Sequence, residues 1–130
     1  MFRARNLAPS VLPLILAALV LSGCAGVQTP VHPGAINQFD SGAYDTLIML
    51  QASLTRCTQE LAIHPEFGKY KEPLNQAISA YNAAQSAYKL YHTAGTASAP
   101  TAAQTAALQA QIADVVTQVA KLLTALGVKP

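Results

Sequence analysis

The sequence predicts an all-α protein: an up-down-up antiparallel three-helix bundle that follows a signal peptide and a flexible linker. In the second half of the chain Ala, Thr, Gln and Leu dominate and Trp is absent, a composition that favours helices over sheets. Three segments place apolar residues three and four positions apart, which is the spacing of one helix face. Because the whole chain has 130 residues, we expect one small domain, covering residues 40–130.

The first predicted helix covers about residues 41–63. Its apolar seam consists of Leu47, Leu50, Leu54, Cys57 and Leu61. We expect Asp40 or Ser41 to cap its start, because short polar side chains can accept hydrogen bonds from the first free backbone N–H groups. Pro65 disfavours helical backbone in the residue before it, so the helix is expected to end near His64.

The second predicted helix covers about residues 73–93. Pro73 suits the first helical position, where its missing N–H costs nothing, and Gly95 is expected to end the helix. The seam has the same three- and four-residue steps and is notable for its aromatic content. Its members are Leu74, Ala77, Tyr81, Ala84, Tyr88 and Tyr91, with Ile78 beside them.

The third predicted helix covers about residues 101–126 and has the most regular seam. Thr101 and Gln104 form a capping-box pattern after Pro100, and Gly127 is expected to end the helix. The seam consists of Leu108, Ile112, Val115, Val119, Leu122 and Leu126.

The three predicted helices are similar in length and are joined by short connections, at about residues 65–72 and 95–100. Short connections make consecutive helices antiparallel neighbours, which favours the bundle. The alternative is a helical hairpin or single long helix that completes its core by self-association, since the same seams also serve coiled coils.

Residues 1–23 have the three-part organisation of an export signal. Arg3 and Arg5 provide a positive start, residues 7–21 are apolar, and small residues follow. The apolar run is shorter than the roughly 20 residues needed to cross the hydrocarbon core of a membrane. We therefore expect this segment to be removed after export.

The tetrapeptide Leu21-Ser22-Gly23-Cys24 resembles the lipobox of bacterial lipoproteins. The resemblance implies cleavage before Cys24, a diacylglycerol on its sulfur and an N-acyl chain on its new amino group. Ala25 follows where an aspartate would signal inner-membrane retention, so the resemblance implies an outer-membrane location facing the periplasm. The alternative is an ordinary secretory signal cut after Ala25.

Residues 24–39 are expected to form the lipidated N-terminus and an extended linker. Prolines and glycines interrupt this segment and no apolar period is visible. If the linker were polyproline-like, at about 3.1 Å per residue, it would hold the bundle on the order of 40 Å from the lipid.

The sequence contains no recognisable catalytic, phosphate-binding or metal-binding motif, so neither an enzyme nor a cofactor is predicted. His32, His64 and His92 have no ligand spacing, and Asp40 and Asp45 are interpreted as helix-start residues that favour the dipole. From Cys24 onward six basic residues balance six acidic ones. This neutrality argues against nucleic-acid binding.

Two sets of side chains are candidate interaction residues. Tyr81, Tyr88 and Tyr91 share a helix face; we expect them to pack inward, and the alternative is an exposed strip that binds a glycan or peptide. Ile48 and Met49 point away from the seam of the first helix and are candidates for contact with a partner. Cys57 is expected to be a small buried hydrophobe rather than a redox thiol.

The resulting functional hypothesis is a membrane-anchored envelope lipoprotein with a non-catalytic helical body that contacts an envelope protein or associates with itself. A small-ligand or cell-wall binding module that uses the tyrosines is the first alternative. An inhibitor and a phage-type lysis lipoprotein remain further alternatives.

Overall fold

The computed structural model describes residues 31–129 and confirms the three-helix bundle. Helix α1 covers Gln38–Ile63, a 3₁₀ helix covers Pro65–Tyr70, α2 covers Lys71–Ala97 and α3 covers Ala102–Ala125. Each of the three long helices packs against the other two, and residues 31–129 contain no strand. The short connections make α1, α2 and α3 run up, down and up.

One continuous core lies along the axis of the bundle. The predicted seams supply nearly all of it, and Cys57 and Val119 have no exposed surface. Ala77 and Ala84 are also fully buried, which allows α2 to approach its neighbours closely. The core residues are Ala43, Leu47, Leu50, Leu54, Cys57, Leu61, Leu74, Ala77, Tyr81, Ala84, Tyr91, Leu108, Ile112, Val115, Val116, Val119, Leu122, Leu123 and Leu126.

Helix α1 begins earlier than the sequence predicts, and its cap is Asn37 rather than Asp40 or Ser41. The Asn37 side-chain oxygen accepts a hydrogen bond from the backbone N–H of Asp40 at 2.8 Å. Asn is as good an acceptor as Asp at this position. Asp40 therefore lies inside the first turn, where its carboxylate is free to make other contacts.

Helix α2 extends beyond both predicted ends. It begins at Lys71, so Pro73 is its third residue and not its first, and Gly95 does not terminate it. Gly95 lies within the helix, which continues to Ala97. A β-carbon at Gly95 would overlap the Cδ1 atom of Ile36 and come within 3.2 Å of Pro100. The glycine is thus explained by a close contact with the segment before α1, and not by a turn.

The two predicted signals that delimit α3 are confirmed. The Thr101 hydroxyl accepts from the Gln104 N–H at 3.1 Å, and the Gln104 side chain accepts from the Thr101 N–H at 2.8 Å. At the other end Gly127 has a φ of 66°, and the Val128 N–H donates to the Leu123 carbonyl at 3.0 Å. This is a Schellman end, which requires a left-handed residue after the helix.

The chain joins the bundle before the predicted linker boundary at residue 39. The backbone N–H of His32 donates to the Ser41 hydroxyl at 3.0 Å, and that of Ile36 donates to Asp40 at 3.1 Å. Residues 32–37 are therefore docked on the bundle, since a buried carboxylate and a hydroxyl supply acceptors for their free N–H groups.

The predicted signal peptide and Cys24 lie outside the described residues. Within residues 31–129, none of the helices combines the length and the apolar character that a membrane span needs.

Candidate functional site

A groove of about 440 Å³ lies between the start of α1 and the last turns of α2, which we call the α1–α2 groove. The docked segment forms one of its edges. The groove is lined by His32, Pro33, Gly34, Ala35, Asp40, Ser41, Tyr44, Tyr88 and His92. It therefore combines two imidazoles, two phenols and a carboxylate.

The most buried group in this groove is the Asp40 carboxylate, which has no exposed surface. Its Oδ2 atom accepts from the Ile36 N–H at 3.1 Å and lies 2.8 Å from Nδ1 of His92. Its Oδ1 atom is buried and has no hydrogen-bond partner within the described part of the chain. A buried carboxylate oxygen without a donor is costly, so Asp40 is a strong acceptor that is incompletely used.

The negative charge of Asp40 also affects the pKa of Tyr88. Burial of the phenol is the main cause that raises the pKa of Tyr88 to about 12, followed by the charge of Asp40 and its capacity to hydrogen-bond the hydroxyl. Tyr44 makes a smaller contribution in the same direction. The Tyr88 hydroxyl is therefore protonated throughout the physiological range.

Four rings follow one another along the groove. The ring of His32 meets that of Tyr44 edge-on at 5.3 Å between centroids, Tyr44 lies 6.3 Å from Tyr88, and Tyr88 lies 6.0 Å from His92. The Nε2 atom of His32 also makes a hydrogen bond with the Asp45 carboxylate. The groove thus has an aromatic wall and one carboxylate, Asp40, in its lining, which contains neither Lys nor Arg. The second carboxylate, Asp45, contacts the groove through His32.

The three tyrosines singled out from the sequence have different positions. Tyr81 and Tyr91 are buried in the core, so their rings face the other helices. The Tyr91 hydroxyl pairs with Thr105 at 3.2 Å, and that of Tyr81 donates to Gln51 at 3.5 Å. Only Tyr88 presents part of its ring at the surface, in the α1–α2 groove.

Ile48 and Met49 are exposed, at 48% and 62%, and neither lines the groove. Leu90 and Ile63 are exposed as well. Single exposed apolar residues are normal on a folded protein, and none of these four lines the groove.

Sequence reasoning missed the pairing of Asp40 with His92. One signal could have found Asp40: it lies seven residues before Leu47, at the seam position that Leu47, Leu54 and Leu61 occupy in later turns. An acidic residue at a core position requires a buried partner. The partner itself, 52 positions away, can be identified only from the alignment of α1 with α2.

The groove does not assemble a nucleophile with its base. Asp40 and His92 resemble an oriented imidazole, but the Ser41 hydroxyl accepts from the His32 backbone and makes no hydrogen bond to His92. A catalytic serine needs its base within hydrogen-bond reach. Over residues 31–129, no three His, Cys, Asp or Glu side chains converge to hold a metal ion.

Cys57 lies outside the groove, in the core of the bundle, as expected from its seam position. Its thiol is free and buried, and burial raises the pKa of that thiol. The thiolate, which is the reactive form, is therefore disfavoured.

Comparison with known proteins adds no relative to this description. No family model, no curated protein and no solved structure matches the chain.

Proposed function

We propose that this protein is a lipid-anchored envelope lipoprotein whose helical body is a non-catalytic binding module. The observation that carries the proposal is the Leu-Ser-Gly-Cys tetrapeptide at residues 21–24, which follows a charged and apolar leader. A thiol can carry a diacylglycerol through a thioether, and two or three acyl chains together hold a protein on a membrane almost permanently.

The docked segment determines how far the bundle can be from such an anchor. His32, which among residues 31–129 makes the hydrogen bond to the bundle nearest to Cys24, is only eight positions after it. At no more than about 3.6 Å per residue, the intervening chain reaches about 29 Å at most. The body would therefore lie near the membrane, with the start of α1 and the α1–α2 groove on the side where the chain arrives.

The anchor is tested by expressing the full chain and its Cys24→Ser variant and determining the mass and first residue of the mature protein. We expect the parent to begin with a lipidated Cys24 and to sediment with the outer membrane, and the variant to carry no lipid. Cys57→Ala is the matched control and should retain both the lipid and the location. A mature protein that begins at another residue, with the Cys24 thiol unmodified or absent, would contradict the proposal.

The partner of the body is proposed to be an envelope protein or a second copy of this chain. A photo-crosslinking residue at Met49, which is exposed, can be compared with one at Lys129 near the C-terminal end of the chain. We expect a defined crosslinked product from Met49 in intact cells. Equal, diffuse products from both positions would argue against contact through this face of α1.

A further inference from the structure

The α1–α2 groove has an unbalanced charge. Asp40 lies within it and Asp45 borders it through His32, whereas the lining contains no Lys or Arg. The other polar side chains that line the groove with Asp40 are the imidazoles of His32 and His92, the phenols of Tyr44 and Tyr88 and the Ser41 hydroxyl. When the imidazoles are neutral, the groove is negative and favours a cation.

Asp40 offers a specific acceptor for such a cation. Its Oδ1 atom is buried without a donor among residues 31–129, while Oδ2 is already paired with His92 and Ile36. An ammonium group carries three donors and a positive charge, and charge-assisted hydrogen bonds are about twice as strong as neutral ones. The Ser41 oxygen accepts one hydrogen bond from His32 and has a second lone pair available.

The aromatic wall favours an organic cation over a metal ion. Tyr44 is 43% exposed and lies beside the half-buried ring of Tyr88. The faces of such rings attract ammonium groups through their quadrupoles. No three metal ligands converge within the described residues, and a volume of about 440 Å³ lies toward the lower end of small-molecule sites. A compact ligand is therefore expected.

We propose that the α1–α2 groove binds a primary ammonium group, with its charge directed toward the Asp40 carboxylate and its carbon chain packed against the exposed ring of Tyr44. This inference deepens the proposed binding function but does not require the lipid anchor. The same chemistry occurs in a phosphatidylethanolamine headgroup and in a free alkylamine. Both sources would reach a groove located near the membrane.

The test uses the full-length mature protein in neutral detergent micelles, titrated with ethanolamine and separately with ethylene glycol, its uncharged isostere. Ring resonances of the tyrosines and histidines are followed by NMR. We expect ethanolamine to shift Tyr44, Tyr88 and His92 saturably while Tyr70, in the 3₁₀ helix, stays unchanged. Equal responses to the two compounds, or no saturable response to ethanolamine, would overturn the proposal.

Two variants locate the site. Asp40→Asn preserves the shape of the side chain without its charge and should weaken ethanolamine binding about tenfold. Tyr44→Leu removes one ring of the aromatic wall at a partly exposed position. It should weaken ethanolamine binding about threefold without loss of the fold. Tyr70→Leu is the matched control. If Asp40→Asn fails to fold, Tyr44→Leu alone decides, and unchanged affinity in that variant would refute the assignment.

Reconstitution into vesicles distinguishes the two sources. Shifts of Tyr44 and Tyr88 in phosphatidylethanolamine vesicles that are absent in phosphatidylcholine vesicles would support the ammonium site and identify a headgroup as its ligand. A response to free ethanolamine alone would support the site with a soluble ligand. Failure of these titrations leaves the mass of the modified Cys24 unaffected, so the two proposals can fail separately.

Discussion

A histidine pairs with a carboxylate at each end of the bundle, but the two pairs differ in burial. Where the chain enters, His92 contacts Asp40, which has no exposed surface. At the opposite end, His64 lies 3.1 Å from Glu66 and 3.6 Å from Glu60, and all three side chains are partly or largely exposed to water. The Glu66 backbone N–H and then His64 lower the pKa of Glu66, although its carboxyl is on the surface.

The difference shows that the same residue types do different work in the two regions. Water screens the pairs of His64, so each contributes little to stability. The Asp40 carboxylate instead holds both α2, through His92, and the docked segment, through Ile36. Single substitutions at the entry end should therefore change the stability strongly and affect both α2 and the docked segment. Those at the opposite end should have small, local effects.

The largest effect is expected from Asp40→Ala. Removing the buried carboxylate leaves the Ile36 N–H and the partly exposed His92 without their acceptor, which should lower the free energy of unfolding by about 2 kcal/mol. Denaturant unfolding monitored by circular dichroism measures this loss. Glu66→Ala, the matched change at the opposite end, should leave the unfolding midpoint unchanged. Similar losses of stability in both variants would contradict the proposed difference between the two ends of the bundle.

Two helical glycines, one in close contact with a neighbouring segment and one facing open space, allow a second comparison of stability. Gly42 and Gly95 both lie within long helices, but a β-carbon at Gly42 would meet open space. We expect Gly42→Ala to stabilise the protein by about 0.5 to 1 kcal/mol, the usual gain from helix propensity. Gly95→Ala must displace Ile36 and should stabilise less or not at all.

Hydrogen exchange gives a second measurement for the same pair. The displaced Ile36 side chain should loosen the docked segment, so the amides of His32 and Ile36 are expected to exchange faster in Gly95→Ala than in Gly42→Ala. If Ile36→Ala is added to Gly95→Ala, the overlap is relieved and the gain in helix propensity should reappear. Protection that is identical in both single variants would show that Ile36 does not fix the segment.

The third prediction concerns alkaline pH. The pKa of Tyr88 is raised to about 12, so the unfolded state, with an ordinary value near 10, loses its proton first. The stability due to Tyr88 is therefore complete below about pH 10 and is lost between about pH 10 and 12. Thermal unfolding across this window should show a decline that Tyr88→Phe reduces and Tyr70→Phe does not. Burial also raises the pKa of Tyr81, which leaves a residual slope.

The smallest effect is expected from Ile63→Gln at the end of α1. This side chain is 67% exposed, and surface substitutions of this kind change the free energy of unfolding by no more than about 0.5 kcal/mol. Chemical denaturation and gel filtration check both stability and association. A large loss of stability, or a change in oligomeric state, would show that the end of α1 opposite the entry segment is part of an interface.

The sequence was sufficient for the bundle because the information is local. The seam of α3 and the capping box at Thr101 and Gln104 each lie within a few residues, and both are present in the structure. Gly95 shows where local reasoning stops: a glycine near a helix end is a stop signal, and only the contact with Ile36 reveals its other use. The groove required the alignment of α1 with α2, which brings Asp40 to His92 and Gln51 to Tyr81.

The docking of residues 32–37 also has a mechanical consequence. Any tension applied through the N-terminal end would act first on the hydrogen bonds from His32 to Ser41 and from Ile36 to Asp40, before it reached a helix. Peeling these six residues away would lengthen the chain by about 20 Å at constant helix content. The segment would thus extend reversibly: it would detach under force and dock again when the force is removed.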